Sequence, residues 1–166
     1  TNAKVHTTKL CVTTVAWMLA RELDSKKAES MLDLCAIATI ADQVPLFNAN
    51  RSFAKHGIVA LRESKRAGLN FLIEYANLDK QKIDTYAINY GIAPRINAMG
   101  RIGDPKDALR LLCSTKEAKV RSFAQSVQST NTDRQSLTTM MIEEAMLQKA
   151  AWVDEHIIVV QSDTFH

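Results

Sequence analysis

From Ser114 to Trp152 the chain contains neither glycine nor proline, and the whole of it has only five Gly and three Pro. So few breakers imply long uninterrupted elements, and helices above all. As one helix this stretch would be about 57 Å long at 1.5 Å per residue. That exceeds the usual span of a single domain, so it is expected either to join two domains or to break near Ser129-Thr130-Asn131-Thr132. Val120, Phe123 and Val127 form an apolar stripe that Leu137, Met141 and Ala145 resume after the polar middle. A helix of this kind suits a connector between domains. Beyond it His156 to Gln161 (HIIVVQ) is rich in β-branched residues and reads as a strand opening a second, α/β domain. A lone strand leaves backbone groups unsatisfied. The chain also starts at Thr1 without Met and stops soon after that run, so it reads as an internal piece.

The upstream residues read as helices too. Val12, Val15, Ala16, Leu19 and Leu23 recur at helical spacing between Thr8 and Leu23. Met31 to Ala41 (MLDLCAIATIA) is apolar on nearly every side, so its helix should be buried. It ends at Asp42-Gln43-Val44-Pro45, because Pro45 disfavours helix at Val44. Asn50 can cap a helix to about Lys65 with Phe53, Ile58 and Leu61 inward and Gly68 as its breaker. Leu69–Tyr75 and Ile83–Tyr90 follow as short helices, the second ending at Gly91. Asp104-Pro105 then starts one that runs to about Cys113.

With 6% aromatic residues the core must rest on Leu, Ile, Val, Ala and Met. The formal charge of +3 is too common to imply nucleic acid by itself. Cys11, Cys35 and Cys113 are odd in number and form no CxxC, as in a reducing compartment. The apolar run Leu34–Ala41 is far too short to span a bilayer. A cytoplasmic protein without a membrane segment is therefore expected.

Two features could carry chemistry. Asp42 stands where a rigid buried helix gives way to a proline turn, a placement that suits a hard-cation ligand. A carboxylate there is also what any loop offers. Pro94-Arg95-Ile96-Asn97-Ala98-Met99-Gly100-Arg101 puts two arginines and an asparagine within seven residues. Arginine forks match phosphate geometry, and a turn at Gly100 would let backbone approach a ligand. The plain alternative is two surface arginines beside a turn. The four histidines lack metal spacing, and no Walker loop, zinc pattern or GxSxG occurs. Asn131-Thr132-Asp133-Arg134-Gln135 reads more simply as a solvated helix middle.

Taken together, these segments resemble one family. Asp33-Leu34 through Asp42-Gln43-Val44-Pro45-Leu46 resembles the D-L-V-A-L-G-T-V-A-D-V-V-P-L segment of RecJ-type single-strand-specific DNA exonucleases. Asn50-Arg51 and Gly57-Ile58 match its N-R and G-[IL] pairs. Ala93 to Arg101 is similar to its G-P-R-L-N-A-A-G-R, with Ala93 for the usual Gly and Met99 for the second Ala. Gln43 stands for an apolar residue. Asn131, Arg134 and Gln135 match N-x-x-R-[QK], Lys9-Leu10-Cys11 and Val15-Ala16 match the helix before the aspartate segment, and Ile157 to His166 resembles the strand leading into W-H-x-G-V-x-G.

The resemblance implies an α/β protein of the DHH phosphoesterase superfamily. Residues 1–113 would be the helical C-terminal part of the DHH domain, 114–151 the inter-domain helix and 152–166 the first strand of a DHHA1-like domain. The chain itself would be mainly α-helical with a long connecting helix and a C-terminal strand. It implies 5′-to-3′ hydrolysis of single-stranded DNA in repair and recombination, with two divalent ions, Mn2+ or Mg2+. A monomer is implied, with single-strand-binding protein and a helicase as partners. Asp42 would be a catalytic metal ligand, and Arg95, Asn97 and Arg101 would hold the DNA backbone. The family's D-x-D and D-H-H motifs do not occur in this chain. Asp42 alone cannot hold two ions, so the chain by itself is expected to be inactive. Two alternatives stay open: another DHH phosphodiesterase acting on oligonucleotides or cyclic dinucleotides, and a non-catalytic RecJ-like DNA- or protein-binding module.

Overall fold

In the computed structural model, which describes residues 9–148 and 159–163, the most buried helix is the one that carries Asp42. This helix, α3 (Leu32–Ala41), buries Cys35, Ala36, Ile37, Thr39, Ile40 and even Asp33. Around it lie α1 (Val12–Leu23), α2 (Ser25–Glu29), α4 (Asn48–Glu63), α5 (Ala67–Tyr75), α6 (Ala93–Ile102), α7 (Pro105–Cys113) and α8 (Glu117–Leu147). Leu61, Leu69, Leu72, Ile83, Ile88, Ile92, Met99, Leu111, Val120 and Val127 close one core from these elements.

Two glycines set how closely the helices meet. A Cβ on Gly57 of α4 would sit 2.5 Å from the Leu32 carbonyl oxygen and 2.6 Å from the Ala36 Cβ. The α3–α4 contact is therefore backbone against backbone. Gly68 does not break a helix. It lies inside α5, where a Cβ would come 2.2 Å from the Leu111 carbonyl oxygen. The break falls earlier, at residues 64–66.

Asn50 is likewise not a cap. It is buried within α4, and its amide donates to the carbonyls of Lys9 and Pro45, both at 2.9 Å. It thereby ties the loop after Asp42 to the entry of α1. Buried Asp33 pairs with Arg66 at 3.4 Å and accepts from the Ser64 hydroxyl at 2.8 Å, and Arg66 also donates to the Leu112 carbonyl. This network joins α3, the α4–α5 link and α7.

The segment from Thr85 to Ile102 is continuously helical, so the chain turns neither at Gly91 nor at Gly100. Residues Ala87–Ile92 form a π-helix that runs into α6. Pro94 removes a backbone donor and its ring crowds the preceding turn, which is the turn where the π-helical residues lie. Asp104 caps α7 through the Lys106 amide, with Pro105 in its first turn, as expected.

Helix α8 is unbroken over 31 residues, about 46 Å. Its polar middle is not simply solvated, because Asn131 is 1% exposed and Arg134 half-buried against the body. Thr132, Thr138 and Thr139 donate their hydroxyls to carbonyls four residues back within the helix.

No strand occurs among the described residues. The expected strand over His156–Gln161 is not seen at Val159, Val160 or Gln161, where no second strand lies alongside to complete a ladder. Residues 156–158 lie outside the described residues, as do Phe165 and His166. The α1 periodicity located a helix but not its buried face. Val12 and Leu23 are 83% and 82% exposed, while Thr14 is buried and Trp17 packs edge-on against Phe53. Among the described residues no helix is long and apolar enough to cross a membrane.

Burial sorts the three cysteines. The Cys35 thiol is pushed up to about 12, first by burial and then by Cys11 and Asp33 nearby. Cys113 is exposed. Since the thiolate is the reacting species, brief alkylation of folded protein near pH 8 is expected to label Cys113 and spare Cys35, with Cys35 labelled only on unfolding. Peptide mass analysis reads this directly, and early labelling of Cys35 would contradict the packing of α3.

Candidate nucleic-acid interface

Asp42 caps α3 and is exposed, with no side-chain hydrogen bond among the described residues. The next residue, Gln43, takes φ 52°, a left-handed conformation that costs a non-glycine residue about 1–2 kcal/mol. The chain thus leaves α3 abruptly, with Asp42 at the rim and the loop behind it held by Asn50.

Helix geometry divides the three motif residues on α6. Asn97 and Arg101 are four apart and share a face, whereas Arg95 is two from Asn97 and points elsewhere. Asn97 and Asp42 line one cleft of about 330 Å3 between α3 and α6, together with Ile96 and Leu112. Asn97, Ile96 and Leu112 also line an adjoining groove of about 490 Å3 that reaches Arg101. Asp42, Asn97 and Arg101 therefore follow one another along a continuous depression. Sequence spacing could not show this, because Asp42 and Asn97 are brought together only by the packing of α3 on α6.

Arg95 sits differently. Its guanidinium is turned inward, donating through Nε to Gln128 Oε1 at 2.8 Å and through its two terminal nitrogens to the Gly91 and Tyr75 carbonyls. Burial lowers its pKa from the ordinary arginine value. Three of its five N–H donors are spent on the protein, so it fastens α6 to α5 and α8. Arg101 is exposed and makes no hydrogen bond or ion pair among the described residues. The nearby acids are otherwise engaged, since Asp104 caps α7 and Asp107 pairs with Arg110 at 2.9 Å. A larger cleft, about 570 Å3, lies beside Asp33 and Arg66, but those two charges are committed to each other.

Among the described residues no three His, Cys, Asp or Glu side chains converge as a metal set. One carboxylate does not hold a divalent pair, so the residues present do not by themselves fit the metal centre, and no chemical step through it follows from this chain.

No protein-family model matches the chain. It is 35% identical over 147 residues to the single-stranded-DNA-specific exonuclease RecJ of Bacillus subtilis, covering 88% of this chain and 19% of that protein. The Thermus thermophilus RecJ is 35% identical over 133 residues, 80% of this chain and 19% of its own length. The Escherichia coli RecJ is 32% identical over 131 residues, 78% and 23% respectively. The crystal structure of Thermus thermophilus RecJ in complex with Mg2+ superposes with a TM-score of 0.66 at 32% identity, over 72% of this chain and 19% of that one. A crystal structure of exonuclease RecJ bound to manganese gives 0.65 at 32% identity, over 72% and 30%.

Helical packing and sequence together place the chain in a family whose named relatives are single-stranded-DNA-specific exonucleases. The family is RecJ, and the chain belongs to it over the stretch they share. The chain spans about a fifth of the length of the curated relatives it matches.

Proposed function

We propose that this chain supplies one wall of the active-site cleft of a metal-dependent exonuclease that hydrolyses phosphodiester bonds of single-stranded DNA from the 5′ end, in repair and recombination. The observation that carries this reading is the continuous depression from Asp42 through Asn97 to Arg101. Asp42 would be one ligand of a divalent pair, Mg2+ or Mn2+, with the remaining ligands supplied by the full-length protein outside this stretch. Held there by the full-length protein, such ions would supply the positive charge that phosphodiester hydrolysis needs. Asn97 and Arg101 would hold the strand backbone, and Arg95 would keep their helix in place from behind. Residues 1–113 would form the helical end of the catalytic domain, with α8 leading to the next domain. Single-strand-binding protein and a helicase would be partners of a monomer working in the cytoplasm.

Arg95 and Arg101 test this reading in opposite ways. Backbone contacts are sequence-independent and salt-sensitive. In the full-length protein, Arg101→Ala is expected to weaken binding to all single strands by a similar factor. The salt dependence of log K should flatten by about 0.7, one phosphate contact on a single strand. Arg95→Ala is expected to leave that slope unchanged and to cost about 2 kcal/mol of stability, because buried acceptors lose their donor. Binding titrations at several salt concentrations, with melting curves alongside, separate the two. An unchanged slope with lowered stability for Arg101→Ala would make Arg101 structural and remove it from the interface.

A further inference from the structure

We propose that Arg134 of α8 joins Arg101 in gripping a single phosphodiester of the bound strand, in the groove between the end of α6 and the distal half of α8. This rests on the reading of the chain as part of a single-strand exonuclease, and it carries the strand past the end of α6.

The groove, about 500 Å3, is lined by Arg101, Arg134, Ile102, Leu137, Thr138 and Met141 among others, and no carboxylate lines it among the described residues. The Thr138 hydroxyl is spent on the Arg134 carbonyl at 2.9 Å. Arg134 is half-buried, and its Nε is sealed from solvent without a partner. One terminal nitrogen makes a single long contact, 3.5 Å, to Asn131 Oδ1. Leaving a buried charged donor unpaired is costly, and a second unpaired guanidinium facing the same groove adds repulsion. An anion between them removes the repulsion and gives the terminal nitrogens of both forks a charged acceptor. A phosphodiester suits the site because two guanidinium forks approach it from different helices. The apolar wall of Leu137 and Met141 raises the strength of those contacts by excluding water. Arg101 lines both this groove and the adjoining one that Asn97 lines, so it borders both stretches of a strand lying along Asp42 and Asn97 and on towards α8.

The test uses the full-length protein and oligo-dT in salt titrations. Arg134→Gln is expected to weaken binding about tenfold, the scale of a lost charge-assisted contact, and to lower the salt slope by about 0.7. Arg134→Lys should keep the slope, because the charge remains, while losing affinity with the fork. Combining Arg101→Ala with Arg134→Gln should flatten the slope no further than either alone, since each arginine holds the shared phosphate only with the other in place. Wild-type affinity and slope in Arg134→Gln would overturn the proposal while leaving the exonuclease reading intact. The same holds for a lowered melting temperature with an unchanged slope. A double variant losing twice the slope would show two separate phosphates and overturn the shared grip. Wild-type protein without salt-sensitive affinity for oligo-dT would overturn both readings.

Discussion

Asp42→Ala in the full-length protein is expected to reduce metal-dependent release of nucleotides from single-stranded DNA to background while the melting temperature stays within a degree or two of wild type. The two halves of this expectation have separate causes. Activity should vanish because a divalent pair depends on every carboxylate around it, and Asp42 is the sole acid lining the cleft it shares with Asn97 among the described residues. Stability should persist because Asp42 is exposed and its side chain makes no hydrogen bond there. Surface changes away from packed or paired groups usually stay within about 0.5 kcal/mol. Asp42→Asn should behave similarly, since it keeps the shape and removes the charge. Single-turnover assays in manganese, with melting curves on the same samples, read both halves. Turnover near wild type would remove Asp42 from the metal site.

Gly57→Ala is expected to have the largest effect on the fold, costing about 3 kcal/mol, at the upper end of overpacking penalties. The added Cβ would meet the Leu32 carbonyl and the Ala36 Cβ inside van der Waals contact. Neither can swing aside, because one is helix backbone and the other a side chain of one carbon. Helices α3 and α4 must therefore separate, and α3 carries Asp42 at its end. Activity should fall further than the unfolded fraction alone explains. Gly100→Ala is the matched control on α6, where a Cβ has nothing within 4 Å. Replacing glycine there should be neutral or slightly stabilising, since alanine is the better helix former by about 1 kcal/mol. Equal melting temperatures for Gly57→Ala and wild type would contradict the close α3–α4 packing.

These two glycines show what was legible in the sequence. The buried character of α3 and its end at Asp42 could be read, because a nearly all-apolar run followed two residues on by Val44-Pro45 admits few other arrangements. The Asp104-Pro105 start of α7 was legible for the same reason, a local signal with a local cause. Gly57, Gly68 and Gly100 were not, because a glycine permits a turn, a close approach or nothing at all. Which of these applies depends on what another helix brings to it. The surroundings of Asn50 and Arg95 were hidden for a related reason. Both have the chemistry of a cap or a ligand contact, and both are used inside the fold. Asn50 satisfies carbonyls of two distant segments, and Arg95 satisfies Gly91, Tyr75 and Gln128.

The one sequence signal that could have separated Arg95 from Arg101 is phase. On a continuous helix Asn97 and Arg101 fall together and Arg95 does not, but a turn expected at Gly100 hid that relation. The apolar stripe of α1 and the HIIVVQ run failed differently. Periodicity and β-branching describe what a segment can bury, and the partners that would receive them are not among the described residues.

The most direct measurement of the central claim compares two DNA substrates in one assay. Full-length protein with manganese is mixed with a 5′-labelled oligonucleotide, either single-stranded or annealed into a blunt duplex, and labelled mononucleotide is followed over time. A cleft that holds one backbone along Asp42, Asn97 and Arg101 should release label rapidly from the single strand and leave the blunt duplex largely intact, with Asp42→Ala silent on both. Equal release from the two substrates, or release that survives Asp42→Ala, would contradict it.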